Sequence, residues 1–240
     1  MLSVGHSGEC IPALEEAGEM VFRFAEVSST MDVASDWLMH GRAPASGERP
    51  FWILADRQHA GRGRRGRAWR SLAGNFHATL VVRCPTGAAG RLPGSFSLIC
   101  GLALYDTVAA LLSGSLKDAD RLALKWPNDL LAGEAKLAGI LCEHVEVAGH
   151  AFLLAGIGVN LGEAPALEGG RASISLLDVG GPAIVPLAFA RLLIPVLAAR
   201  RALWVRDGFA GQREDFRERA YGIGSSVRIE GEGAAAPVRG

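Results

Sequence analysis

The sequence predicts an α+β domain: a mixed, largely antiparallel sheet packed with helices. Strand-like segments predominate before residue 160 and helix-like segments after it, the segregated order of α+β chains. The run 130–161, LLAGEAKLAGILCEHVEVAGHAFLLAGIGVNL, is interrupted by turn signals at Gly133-Glu134 and Ala148-Gly149, which read as hairpin connections. With 240 residues, 49% of them hydrophobic, the chain suffices for one large domain, or one domain plus a small appendage.

The elements follow in order. FRFAEV (22–27) alternates as a strand does. SSTMDVASDWLMHG (28–41) opens on Ser and Thr, carries apolar residues at helical spacing and closes on Gly, which predicts a capped helix. FWILADR (51–57) and NFHATLVVR (75–83) are strands on either side of a Gly/Arg run, and a core helix covers about 94–112. RLALKW (121–126) is a strand that stops at Pro127. The stretches 186–205 and 209–220 are helices, the first kinked or split at Pro195. This places an N-terminal extension at 1–21, the main domain at 22–222, and at 223–240 the start of a small β-barrel module with an incomplete pattern: one strand near 226–230, then EGEGAAAP.

Composition excludes several classes. Twenty-five basic residues balance 25 acidic ones, so net charge argues for neither a nucleic-acid nor a membrane surface. The first residues carry Glu9, Glu15, Glu16 and Glu19 and lack the apolar run of a signal peptide. No stretch offers roughly 20 uninterrupted apolar residues. Cys10, Cys84, Cys100 and Cys142 form no C-x-x-C pair, which leaves zinc and thioredoxin-type readings without support. A reduced cytoplasmic setting is the expectation.

Basic chemistry is therefore local, and it concentrates in GRGRRGRAW (61–69). The spacing fits G-x-G-x-x-G. A dinucleotide turn, however, leads into a helix and is followed by an acidic residue, whereas here a strand follows and 80–88 holds no Asp or Glu. A P-loop would need G-K-[ST]. What remains is a mobile basic loop or an anion-binding one. Guanidinium groups contact phosphate or carboxylate in pairs, glycines let backbone N–H groups approach, and Trp69 can stack on a purine.

The second candidate is LKWPNDLLAGEAKLAGILCE (124–143). Lys125 and Lys136 sit on core-like strands, and a buried lysine needs an anion unless it snorkels from the strand end. Asn128-Asp129 form a polar corner after Pro127, and Gly139 leaves room for a ligand near the backbone. In AGIGVNL (155–161), Gly156 and Gly158 thin an apolar strand whose one polar side chain is Asn160.

Together, SST (28–30), RQHAGRGRRGRAW (57–69), GN (74–75), KWPNDLL (125–131), KLAGILCE (136–143) and GIGVNL (156–161) stand in the order found in the biotin protein ligases, and the chain resembles that family over roughly 22–220. The resemblance implies a biotin/lipoate ligase catalytic fold and an enzyme that uses ATP, with Mg²⁺, to make biotinyl-5′-AMP. It then passes biotin to a lysine of a biotin carboxyl carrier protein, such as an acetyl-CoA carboxylase subunit. By position, Ser29, Thr30, Gln58, Gly61, Arg62 and Gly139 would hold biotin. Arg64, Arg65, Trp69, Asn128 and Asn160 would serve the nucleotide. Lys136 would bridge biotin's carboxyl group and the phosphate, with Arg62 and Asp129 completing the catalytic set and Asp129 near the acceptor lysine. No protein metal ligand is implied.

The family's Ser-Thr-Asn reads Ser-Thr-Met here, with Met31 in place of Asn. The short stretch 1–21 gives no counterpart of the winged-helix DNA-binding domain of bifunctional members, so DNA is not an expected partner. The segment 223–240 would begin the family's SH3-like C-terminal domain. Members occur as monomers and as dimers paired through sheet edges, so a homodimer is one expectation. The competing readings are a lipoate or octanoate ligase or transferase of the same fold, a non-enzymatic nucleic-acid-binding module using the Arg loop, and a silent ligand-binding relative. GRGRRGRAW with KWPNDLL favours biotin over lipoate, zero net charge disfavours nucleic acid, and Lys136 with Arg62 argues against a silent relative.

Overall fold

The structure, a computed structural model, describes residues 11–84, 93–113, 122–166 and 172–225. The expected strand at 226–230 lies outside the described residues. Among the described residues eight strands form one sheet: β1 (Ile11–Glu16), β2 (Glu19–Val27), β3 (Phe51–Gln58), β4 (Phe76–Arg83), β5 (Leu122–Lys125), β6 (Asp129–Ala132), β7 (Ala135–Val147) and β8 (His150–Val159). Their order across the sheet is β1-β2-β3-β4-β8-β7-β6-β5. β2 and β3 are parallel, joined through α1 (Thr30–Met39), and every other neighbour is antiparallel.

The sheet begins earlier than the sequence suggests. β1 lies inside the stretch expected to be an extension, and β2 starts at Glu19. Ala17 and Gly18 both adopt positive φ, 52° and 75°, which matches a hairpin turn. IPALEE, with its Pro and two Glu, lacks a core strand's alternation, and such residues are tolerated at a sheet edge. The predicted turns at 133–134 and 148–149 do join β6 to β7 and β7 to β8, with Gly133, Ala148 and Gly149 at positive φ.

Helices cover both faces. α1 packs on one face, where Trp37 lies edge-on to Phe22 with ring centroids 5.0 Å apart and stacks on Phe51 at 6.1 Å. α2 (Pro93–Leu111) and α3 (Pro186–Asp207) cover the other, with Phe96, Ile99, Leu102, Leu104 and Val108 fully buried. α2 has the length and apolar composition of a membrane span, yet its apolar side chains are spent on this core. α3 runs unbroken through Pro195 instead of splitting there, because packing against α2 and the sheet outweighs one lost backbone hydrogen bond. The expected helix 209–220 resolves into a 3₁₀ turn (Phe209–Gln212) and α4 (Arg213–Arg219). Beyond α4, Tyr221 N–H donates to the Leu124 carbonyl at 2.9 Å, so the chain covers part of the outer edge of β5.

Alternation along the strands decides what the α1 face presents. Val81, Phe152 and Leu154 pack beneath α1. Further along the same face, β4 continues with Thr79 and His77, and β8 with Gly156 and Gly158. The loss of side chains on β8 beside the N-terminus of α1 opens a cleft there.

Candidate active site

The cleft is open to solvent, and the roughly 470 Å³ of space between its walls includes part of that solvent. Its floor is glycine. Gly139 on β7 and Gly158 on β8 are direct cross-strand partners, and the same row continues to His77 on β4 and to Asp129 on β6. The Trp69 indole lies in the resulting trough. A Cβ at Gly158 would sit 2.4 Å from the ring, and one at Gly139 would sit 3.1 Å from it. No other residue type fits under the ring at Gly158.

One end of the cleft is the N-terminus of α1. The Ser29 hydroxyl caps it, accepting from Met31 N–H at 3.2 Å, and is buried. Gln58, at the end of β3, accepts from the Thr30 N–H at 2.8 Å and the Thr30 hydroxyl at 3.1 Å; its own amide donates to Ser71 at 3.1 Å. Thr79 donates to the Thr30 hydroxyl at 2.8 Å. Met31 is buried over Gly156, where a Cβ would meet its sulfur at 2.9 Å. The residue that replaces the family's Asn therefore makes an apolar wall.

The other end carries charge. Lys136 Nζ stands 2.7 Å from Asp129 Oδ1 and 5.5 Å from the Trp69 ring centroid. A β-bulge aims it there. Leu130 pairs with Ala138 but Leu131 pairs with Lys136, so Leu137 is an extra residue on β7. Leu137 and Ala138 both face the α2 side. Without that extra residue Lys136 would share Ala138's face; with it, the lysine turns into the cleft.

The Gly/Arg run folds as a short hairpin over this floor. Trp69 N–H donates to the Gly61 carbonyl at 2.8 Å and Gly63 N–H to Arg67 at 2.6 Å. At its tip Arg65 and Gly66 take φ of 58° and 71°. A side chain at Gly61 would strike the Trp69 carbonyl at 2.7 Å. Arg62 pairs with Asp32 at 2.6 Å and reaches Glu143 at 3.6 Å. Arg64 donates to Asn128 Oδ1 at 3.1 Å, and Asn128 Nδ2 donates to the Ile140 carbonyl at 3.0 Å. The hairpin is thus tied to both walls.

The structure gathers Ser29, Thr30, Gln58, Arg62, Arg64, Trp69, Asn128, Lys136 and Gly139 around the cleft, with Gly61 buried at the base of the hairpin and Asp129 against Lys136. Two expected nucleotide contacts do not line it. Arg65 is exposed at the hairpin tip. Asn160 is buried and ties strands together, donating to the carbonyls of Lys136 at 3.4 Å and Ile174 at 3.2 Å; among the described residues its Oδ1 has no hydrogen-bond partner. Asp32, Glu143 and His77 also stand at the cleft, although no sequence motif marks them as site residues. Only His77 left a signal: with Thr79 it puts polar residues at alternate positions of a buried strand.

A family model described as the biotin/lipoate A/B protein ligase family matches residues 24–160. The chain is 42% identical over 181 residues to the biotin–[acetyl-CoA-carboxylase] ligase of Paracoccus denitrificans, covering 73% of each. It is 38% identical over 182 residues to the enzyme of that name from Mycobacterium tuberculosis, covering 74% of this chain and 64% of the other. The solved Leishmania major biotin protein ligase in complex with biotinyl-5-AMP is similar at TM-score 0.67 and 29% identity, over 91% of this chain and 87% of that one. The Aquifex aeolicus biotin protein ligase with biotin and ATP, at TM-score 0.71, 22% identity and coverage of 89% and 83%, shares the fold. The chain belongs to the biotin/lipoate A/B protein ligase family.

Proposed function

We propose that the protein is an ATP-dependent biotin–[acetyl-CoA-carboxylase] ligase. The observation that carries the reading is the glycine trough roofed by Trp69, with Lys136 and Asp129 at one side and an arginine hairpin above. A glycine-floored cleft with Lys136 and Arg62 in its lining suits a ligand whose acyl tail ends in a carboxylate. The names of the Paracoccus and Mycobacterium relatives, and the Leishmania complex with biotinyl-5-AMP, support it.

In the first step a biotin carboxylate oxygen attacks the α-phosphorus of MgATP, and pyrophosphate leaves with the electron pair of the broken P–O bond. Two anions must approach, so cations at the point of developing charge lower the barrier. Lys136 and Arg62 supply them. Among the described residues no three His, Cys, Asp or Glu cluster to hold a metal; Mg²⁺ enters on the triphosphate's oxygens as part of the substrate. Ser29, Thr30, Gln58, Gly61, Arg62 and Gly139 hold biotin, while Arg64, Arg65, Trp69, Asn128 and Asn160 serve the nucleotide. Asn160 would act from beneath the cleft, through the backbone it holds at Lys136 and Ile174, and Arg65 would reach the nucleotide once the hairpin closes.

In the second step the ε-amine of a carrier-protein lysine attacks the acyl carbon, AMP departs, and an amide forms with loss of a proton from the amine. Lys136 holds Asp129 in the free protein. When the adenylate's phosphate takes that ammonium, Asp129 is released to orient the incoming amine and accept its proton. The closed hairpin keeps water from the reactive anhydride in between.

Pyrophosphate release tests the reading. Incubation with MgATP should release pyrophosphate when biotin is added and not otherwise. Release prompted by lipoate or octanoate and not by biotin would move the assignment to the lipoate side of the family.

A further inference from the structure

His77 is buried on a strand otherwise built of apolar residues, Thr79 and the terminal Arg83, and core packing gives no reason for an imidazole there. Its register supplies one. His77 is the direct partner of Gly158, on the cleft face, so it stands at the head of the trough in which the Trp69 ring lies. The Trp69 Nε1–H points at His77 Nδ1, 3.3 Å away. The other ring nitrogen, Nε2, faces the Leu72 carbonyl, also at 3.3 Å. A carbonyl can only accept, so the imidazole proton belongs on Nε2 and Nδ1 is left as an acceptor. Leu72 lies on the segment that returns from the hairpin to β4, so one imidazole grips both the closing aromatic of the hairpin and the strap behind it.

We propose that His77 is a positioning residue that fixes the Trp69 indole in the Gly139–Gly158 trough and thereby sets the closed geometry of the arginine hairpin over the adenylate. The adenylate part of this inference rests on the ligase reading given above; the placement of Trp69 does not. Burial helps His77 do this by holding it neutral, with its pKa lowered to about 4. A protonated ring would present N–H on both sides and lose the indole as a donor. Lys136 stands 5.5 Å from the ring centroid and the Trp69 backbone is tied to Gly61, but the bond to His77 is what fixes the indole's edge along the trough.

The test compares His77→Phe, which keeps a ring of similar size without the acceptor, with His77→Asn, whose Oδ1 can accept from the indole. In the ligand-free protein, His77→Phe should raise acrylamide quenching of Trp69, read as the difference from the same protein carrying Trp69→Phe, and His77→Asn should restore protection. In biotin-dependent pyrophosphate release, His77→Phe should raise the KM for biotin and ATP about tenfold, the effect of losing one hydrogen bond of roughly 1.4 kcal/mol. The KM for the carrier protein should stay within a factor of about 2 of the parent value. Unchanged quenching and unchanged KM for biotin and ATP in His77→Phe would overturn the proposal. So would equal impairment of both variants, which marks a purely structural histidine. If the parent protein releases no pyrophosphate at all, the ligase reading fails, and the quenching comparison alone still decides whether His77 places Trp69.

Discussion

Gly139 and Gly158 face each other across β7 and β8, and neither could carry a side chain without meeting Trp69. At Gly158 the conflict is with the indole ring itself at 2.4 Å, which has no free end to give way; at Gly139 the nearest atoms belong to the flexible end of Lys136, at 2.9 Å. The two positions should therefore differ. Gly158→Ala should cut kcat/KM for adenylate formation by about 100-fold, since displacement of positioning groups by an ångström has that order of effect. Gly139→Ala should cost less. Steady-state pyrophosphate release on both variants checks the ranking, and circular dichroism checks that the sheet persists.

The 2.7 Å pair of Lys136 and Asp129 predicts a separation of the two half-reactions. Lys136→Ala removes the cation from the attacking carboxylate and should slow adenylate formation by about 10³-fold, the upper part of the range for losing an electrostatic stabiliser. Asp129→Asn should leave adenylate formation nearly intact and slow transfer to the carrier by about 100-fold, as expected for an acid–base group. Single-turnover measurement of each half-reaction distinguishes them. Equal loss in both steps for Asp129→Asn would place Asp129 in support of Lys136 alone.

The hairpin supplies a third prediction. Arg64, Arg65 and Arg67 are exposed in the free protein, within reach of trypsin. Biotin with MgATP should suppress cleavage after these arginines, because the adenylate's charge replaces the contacts to Asp32, Glu143 and Asn128 with stronger ones inside a drier site. Equal digestion with and without ligands would show that the hairpin does not close.

The buried histidine makes stability depend on pH. In the unfolded chain His77 titrates near 6.5, whereas in the fold its pKa lies at about 4. Between these values the unfolded state takes up a proton that the folded state refuses. The contribution is thus whole above pH 6.5, falls by about 1.4 kcal/mol per unit as the pH drops, and levels off below the folded value. Urea unfolding at pH 7 and pH 5 should show His77→Phe gaining about 2 kcal/mol on the parent protein between the two. Parallel losses in both proteins would contradict it.

Much of this architecture was legible because local signals agreed with the fold. The Ser29 cap, the hairpin turns after β6 and β7, and the glycines on β8 each state their role in a few residues. β1 was not legible, since an edge strand need not alternate and a turn made by Ala17 and Gly18 announces little. A split at Pro195 was open in the sequence because helix propensity is weighed before the packing that keeps α3 continuous. In the cleft, the paired lysine and carboxylate could be read from KWPND and KLAGI only as neighbours in sequence. The bulge at Leu137 that turns Lys136 to the ligand face is a property of register, and register is set by the whole sheet. Asp32 and Glu143 were hidden for a related reason: they are ordinary surface carboxylates until the hairpin brings Arg62 between them.

In the proposed reaction this cleft makes an acyl-adenylate of biotin and hands the acyl group to a protein lysine. The most direct measurement is the intact mass of a biotin carboxyl carrier domain after incubation with the protein, MgATP and an equimolar mixture of biotin and lipoate. The carrier should show a single mass gain equal to biotin less one water, lost when its acceptor lysine is replaced. An unmodified carrier, or one that gains a lipoyl group instead, would contradict it.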